Sequence, residues 1–156
     1  MQVILIKKRE RNIIMTEEAK ILENIRQNVE MGIDGINTVR KKVKDEQFLA
    51  LLDSQRNEYR DILNEAGNRL HDIGAPVESS NDASKMYAKM FTTAKTLVYA
   101  SDSEIAEDMI KGTSSGISKI TRHLNDACDV SSSTRTFAEK LVKTEEKNIE
   151  ELKKFL

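Results

Sequence analysis

The chain has 156 residues, which fits a single domain, because two independent hydrophobic cores would be hard to bury in that length. Its 25 basic and 26 acidic residues give a formal net charge of −1, which disfavours a nucleic-acid partner, since phosphate binding needs a basic patch. The single cysteine excludes an intramolecular disulfide, and no apolar run approaches the roughly 18–20 residues that cross a bilayer. We therefore expect a cytoplasmic protein without nucleic-acid or membrane partners.

Residues 1–14 do not share the helical pattern that follows them. Two interpretations stay open: they are an extension that is not native, or residues 3–6 form a short strand that pairs with another chain. Met15 is followed by Thr16, which can cap a helix, and by two acidic residues that suit a helix N-terminus. The sequence thus predicts an N-terminal extension over residues 1–14 and one helical bundle over residues 15–156.

Four long helices are predicted in the bundle, because apolar residues recur there at three- and four-residue steps. The first covers residues 16–44 and the second residues 45–73, where the run 74–76 (Gly-Ala-Pro) stops it. A capping box, Ser101 to Glu104, opens the third helix, which continues to residue 127, and the serines at 131–133 open the fourth. A shorter helix is predicted over residues 83–99. Four long helices with a short one in the middle connection are typical of an all-α bundle with one crossover.

Four glycines lie inside the predicted helices, although glycine costs about 0.5–1 kcal/mol there relative to alanine. Gly32 and Gly35 belong to the first helix, and Gly112 and Gly116 lie at matching places in the third. We expect these glycines to allow a close approach of the two helices at the centre of the bundle.

The paired glycines Gly32 and Gly112, together with Glu145 in the fourth helix and the order of the helices, resemble the ferritin-like superfamily. The resemblance is to a small, uncharacterised bacterial branch of it. In metal-binding relatives a ligand Glu follows each such glycine, and helices two and four each carry Glu-x-x-His. Residues three apart share one helix face, so a carboxylate and an imidazole can reach the same metal pair. The resemblance implies a ferritin-like four-helix bundle with a short extra helix in the crossover connection.

The ligand positions that this resemblance implies are degenerate. They are occupied by Ile33, Gln55, Thr113 and Asn148. In helix two the register stays open between Gln55-x-x-Glu58 and Arg56-x-x-Tyr59. Only Glu145 is clearly kept, with Glu58 as the candidate for a second ligand. One or two carboxylates cannot neutralise the four charges of two ferrous ions in a low-dielectric core, so we expect no metal, cofactor or catalytic residue.

A polar layer is the expected replacement for the ions. Five side chains are predicted to face inward near the former metal level: Gln55, Tyr59, Thr113, Glu145 and Asn148. Because buried polar groups need partners, we expect these side chains to form hydrogen bonds with one another.

The function expected from these features is that of a non-catalytic ferritin-like bundle, not an enzyme. It would act through protein contacts, as a homodimer or with an unidentified protein partner. The alternative is a metal-binding (iron or manganese) ferritin-like oxidase or storage protein. That protein would use a reduced site made of Glu145, Glu58 and either Glu30 or Asp34. Bound metal distinguishes the two hypotheses.

Overall fold

The computed structural model describes residues 15–76 and 101–156, most of which form four α-helices. Helix α1 spans Glu17–Val39, α2 spans Glu46–Asp72, α3 spans Asp102–Asp126 and α4 spans Ser132–Leu152; a short 3-10 helix, Lys153–Phe155, follows. No β-strand occurs in these two described stretches, and the expected all-α four-helix bundle is confirmed. The predicted strand over residues 3–6 and the predicted short helix over residues 83–99 lie outside the described residues.

Each of the four helices begins at a polar side chain that accepts a hydrogen bond from the first turn. The four caps are Thr16, Asp45, Ser101 and Ser131. Ser101 and Glu104 form both hydrogen bonds of the predicted capping box. At the end of α2, Gly74 adopts a positive φ of 67°, a conformation that glycine takes without steric cost. The local signals for these boundaries are therefore confirmed.

The predicted end of the first helix is wrong. The helix was expected to continue to residue 44, but α1 ends at Val39 and residues 40–42 form a turn. The backbone N–H groups of Lys42 and Val43 both donate to the carbonyl of Val39, at 2.8 and 3.2 Å. Val43 is buried although it lies outside the helix. The apolar spacing thus continues through the turn, so the sequence pattern did not reveal where the helix stops.

Contacts at one end of the bundle bring together the start of α1, the end of α2, and the connection between α3 and α4. The carboxylate of Glu17 accepts hydrogen bonds from the backbone N–H groups of Cys128 and Asp129, which follow α3. Arg69, in the last turn of α2, donates to the hydroxyl of Ser133, in the first turn of α4.

The opposite end holds the turn between α1 and α2 and the start of α3. Asp102, the first residue of α3, accepts hydrogen bonds from the backbone N–H groups of Lys44 and Asp45. Phe48 of α2 stacks on Phe155, which follows α4, with ring centroids 4.4 Å apart. Consequently α1 and α4 run in one direction, and α2 and α3 run in the other.

The core lies between two antiparallel helix pairs, α1 with α2 and α3 with α4, which form the most extensive interhelical contacts. The apolar stripe predicted for the first helix is confirmed, since all of its large members are buried: Leu22, Ile25, Val29, Ile36, Val39 and Val43. Equivalent stripes from the other helices complete the core. Polar side chains interrupt this core on α2 and α4.

A polar layer in the bundle core as the candidate functional site

Five side chains with polar atoms come together inside the bundle, and we refer to them as the polar layer: Asn28, Gln55, Tyr59, Glu145 and Asn148. Gln55 and Tyr59 are four residues apart on α2, and Glu145 and Asn148 are three apart on α4, so each pair shares one helix face. These four residues are 5% exposed or less. Their predicted inward orientation is confirmed.

Asn148 is fully buried, at 0% exposure, and links α4 to α2 through its backbone. The side-chain amide of Gln55 donates to the backbone carbonyl of Asn148 at 3.3 Å. The side-chain amide of Asn148 lies beside the Tyr59 hydroxyl, but neither of its polar atoms forms a hydrogen bond of normal geometry within the described residues. The expected hydrogen bonding of the layer is thus formed only in part by protein groups.

Tyr59 remains a neutral phenol over the physiological pH range. Burial raises its pKa well above the ordinary value, and the nearby Glu145 carboxylate adds to this effect. The polar side chains of Asn148 and Thr113 act in the opposite direction. Tyr59 therefore keeps its proton and can act as a hydrogen-bond donor inside the layer.

Glu145 is a carboxyl group almost without contact with solvent, at 1% exposure. Burial raises its pKa to about 8, and the neighbouring amide of Asn28 partly opposes this effect. Within the described residues no charged side chain contributes to the shift. At neutral pH most Glu145 side chains are therefore protonated and uncharged.

Two glycines make room for the layer. A Cβ atom on Gly32 would lie 2.6 Å from ring atom Cε2 of Tyr59, and one on Gly116 would lie 2.8 Å from Nδ2 of Asn28. At Gly116 the expected close approach of α1 and α3 is confirmed, because Asn28 belongs to α1. The expectation is wrong for Gly112, where a Cβ atom would meet nothing within 4 Å, and Gly32 faces α2 instead.

The remaining predicted positions, Ile33, Glu58 and Thr113, are less buried than Gln55, Tyr59, Glu145 and Asn148. Ile33 is half-buried and packs beside the apolar core, and Thr113 is half-buried next to Tyr59. One carboxylate oxygen of Glu58 accepts a hydrogen bond from Nζ of Lys147 at 2.9 Å. From α1, Asn28 rather than Ile33 meets Glu145.

Asn28 is the layer residue that sequence reasoning missed. It lies four residues before Gly32 and therefore on the same face of α1, which was the available signal. Its role depends on Gly116 in α3, because only a residue without a side chain leaves the space that Asn28 occupies.

The donor groups in the layer do not fit a di-iron centre. Such a centre takes carboxylates from four helices and imidazoles from two of them. The layer supplies one carboxyl group, three amides and a phenol. Among residues 15–76 and 101–156, no group of three or more His, Cys, Asp and Glu side chains is placed to hold a metal ion.

A buried ion-pair cluster on α1 is a second polar feature that sequence reasoning missed. Arg26, 5% exposed, donates through Nε and Nη2 to both carboxylate oxygens of Glu23, and through Nη1 to Glu30 at 2.6 Å. The hydrogen bonds that Arg26 donates to Glu23 outweigh burial and raise the pKa of Arg26. Arg26 lies three residues after Glu23 and four before Glu30, and these spacings could have indicated the ion pairs from the sequence. Glu30, one of the alternative metal ligands, is thus already engaged by a cation.

A surface pocket of about 300 Å³ lies between the end of α2 and the start of α4. Arg69 lines this pocket. Its guanidinium lies 4.5 Å from the ring centroid of Phe137 and donates hydrogen bonds to Glu65 and Ser133. These contacts engage the guanidinium with protein groups and neutralise its charge. We therefore assign it a role in packing the two helices.

Two antiparallel helix pairs around a buried polar layer define the class of protein, an all-α four-helix bundle. The chain belongs to the family described as "Domain of unknown function (DUF2383)", whose model matches residues 17–126. The match includes α1, α2 and α3 and ends before α4, which carries Glu145 and Asn148. No curated protein and no solved structure matches the chain. In the described part of the chain, no helix is long and apolar enough to cross a membrane.

Proposed function

We propose that the protein is a non-catalytic, ferritin-like bundle that acts through protein contacts, first of all with a second copy of itself. The observation that carries this proposal is the composition of the polar layer, in which neutral amides and a phenol surround a single carboxyl group. These groups can hold helices in register by hydrogen bonding, but they lack the negative charge that a di-iron centre requires.

The directions of the helices support the ferritin-like assignment. Because α2 and α3 run in the same direction, the end of α2 and the start of α3 lie at opposite ends of the bundle. Ferritin-like bundles have this arrangement of helix directions. The bacterial and cytoplasmic setting is part of the same proposal and rests on the sequence resemblance and the single cysteine.

The test combines metal content with mass in solution. Untagged protein would be purified from cells supplemented with iron and manganese, then assayed for bound metal and sedimentation mass. We expect well below one metal ion per chain and a discrete dimer of about 35 kDa, twice the 17.7 kDa of one chain. A monomer would contradict the self-association. One or two ions per chain that are lost in Glu145→Gln, but kept in the exposed control Glu146→Gln, would contradict the non-catalytic assignment.

One observation favours the alternative, a metal-binding bundle with a reduced site. Glu58 and Glu145 each have a buried carboxylate oxygen without a hydrogen-bond partner in the described residues. A single iron or manganese ion could take these oxygens as ligands. In that case Glu58→Gln would also lose the metal, whereas our leading proposal expects no bound metal in either variant.

A further inference from the structure

Three side chains in the polar layer have polar atoms that protein groups leave unsatisfied. They are Oε2 of Glu145, both Oδ1 and Nδ2 of Asn148, and Nδ2 of Asn28. None forms a hydrogen bond of normal geometry within the described residues, although the Asn28 amide lies close enough to Glu145 to lower its pKa. Glu145 and Asn148 are 1% and 0% exposed, so bulk solvent does not reach them. Buried polar groups nearly always have a partner, either protein or ordered water, and these atoms therefore point to a bound species.

The unsatisfied atoms belong to neighbouring side chains. Asn28 lies beside the Glu145 carboxyl group, and Glu145 and Asn148 lie one helical turn apart on the same face of α4. Tyr59 is close to both Glu145 and Asn148. A single small molecule at the centre of the layer could therefore contact groups from α1 and α4.

The mixture of donors and acceptors selects the chemistry of that molecule. Amide N–H groups are positive at the hydrogen and repel a cation, whereas the carbonyl oxygen of Asn148 is an acceptor. A species that both donates and accepts hydrogen bonds matches this set, and a metal ion does not. Buried waters typically form about three hydrogen bonds to otherwise unsatisfied groups, and three side chains offer such groups here.

We propose that the polar layer holds an ordered internal water molecule that bridges Glu145, Asn148 and Asn28. The water accepts from Nδ2 of Asn28 and donates to Oδ1 of Asn148. The third hydrogen bond of the water is formed with Oε2 of Glu145. This oxygen donates to the water when Glu145 is protonated and accepts from it when Glu145 is ionised. This inference does not depend on the proposed self-association, because an internal water fits a dimer and a monomer equally well.

Magnetic relaxation dispersion of ¹⁷O water counts long-lived internal waters in solution and provides the first test. We expect Asn148→Leu to have one fewer long-lived water than the wild type, because leucine supplies no hydrogen-bonding atom. The matched control is Asn64→Leu, at an exposed position of α2, and it should leave the count unchanged. An equal count in the wild type and Asn148→Leu would overturn the proposal.

A crystal structure of the wild-type protein provides the second test and does not depend on the folding of a variant. We expect a density peak about 2.7–3.2 Å from Oε2 of Glu145 and from the Asn148 amide, without anomalous signal. An anomalous peak at roughly 2.0–2.2 Å would identify a metal ion and overturn the proposal. Direct pairing of Asn28 with Glu145, with no peak between the helices, would overturn it as well.

Discussion

Glu18 and Glu145 are both glutamates at contacts between helices, but their surroundings differ. Glu18 lies in the first turn of α1, and its Oε1 accepts hydrogen bonds from the hydroxyls of Ser131 and Thr134, at 2.5 and 2.6 Å. Both hydrogen bonds lower the pKa of Glu18, and the one from Ser131 has the larger effect. The carboxylate thus holds the start of α1 against the start of α4 in its charged form.

The pKa of Glu145, at the centre of the bundle, is shifted in the opposite direction. Burial raises its pKa to about 8, and Asn28 supplies only a partial compensation. The comparison shows that contact with another helix does not by itself determine the charge of a carboxyl group. The number of donors aimed at the oxygens and the access of water decide it.

The largest effect should be a pH dependence of stability caused by Glu145. Because its folded pKa of about 8 exceeds the ordinary value of 4.5, the folded state binds more protons between these two values. Its contribution to stability is therefore full below about pH 4.5 and is lost as the pH rises to about 8. We expect the free energy of unfolding to fall by on the order of 1 kcal/mol per pH unit in this window.

Urea denaturation of the wild type and Glu145→Gln between pH 4.5 and 8.5 would measure this effect. Glutamine has nearly the same shape and no charge. In the variant, the free energy of unfolding should therefore lose the pH dependence that Glu145 causes, and the variant should be the more stable protein near pH 8. Glu146→Gln, at the adjacent exposed position, should keep the wild-type slope. Parallel curves for the wild type and Glu145→Gln would show that Glu145 is not buried as a neutral acid.

A methyl group at Gly32 should also disturb the layer. In Gly32→Ala the new Cβ would lie 2.6 Å from the Tyr59 ring, so the ring must shift, and we expect a loss of roughly 1–3 kcal/mol. Gly112→Ala is the matched control, because its Cβ meets nothing within 4 Å, and it should stabilise the helix by up to about 1 kcal/mol. Thermal and urea unfolding would measure both. Equal effects of the two substitutions would contradict the role of Gly32.

The smallest effect is expected at Glu18. Its folded pKa is lowered, so its contribution to stability is present above the ordinary value of 4.5 and is lost as the pH falls through the folded value. Glu18→Gln should therefore lower the free energy of unfolding at pH 7 by about 1 kcal/mol, since solvent screens the exposed part of the contact. As the pH is lowered from 7 through the folded pKa of Glu18, the variant and the wild type should converge. A constant difference over this range would indicate that the charge of Glu18 is irrelevant.

The start of each helix could be predicted from neighbouring residues alone. Thr16, Ser101 and Ser131 form their hydrogen bonds within one turn, so a short segment carries the whole signal. The inward orientation of Gln55 and Glu145 followed from helical spacing, which is equally local. The end of α1 could not be predicted, because the turn at residues 40–42 preserves the apolar spacing and places Val43 in the core.

Helical spacing and capping residues were sufficient to predict four amphipathic helices, their caps, and the polar positions on the inner faces of α2 and α4. The contact between Asn28 and Glu145 could not be predicted in this way, because it depends on how α1 rotates against α4 and on the space at Gly116. The same packing decided that Glu145 is a neutral acid. Its charge state reflects the loss of water and the scarcity of donors around it, which are properties of the assembled helices and not of any single one.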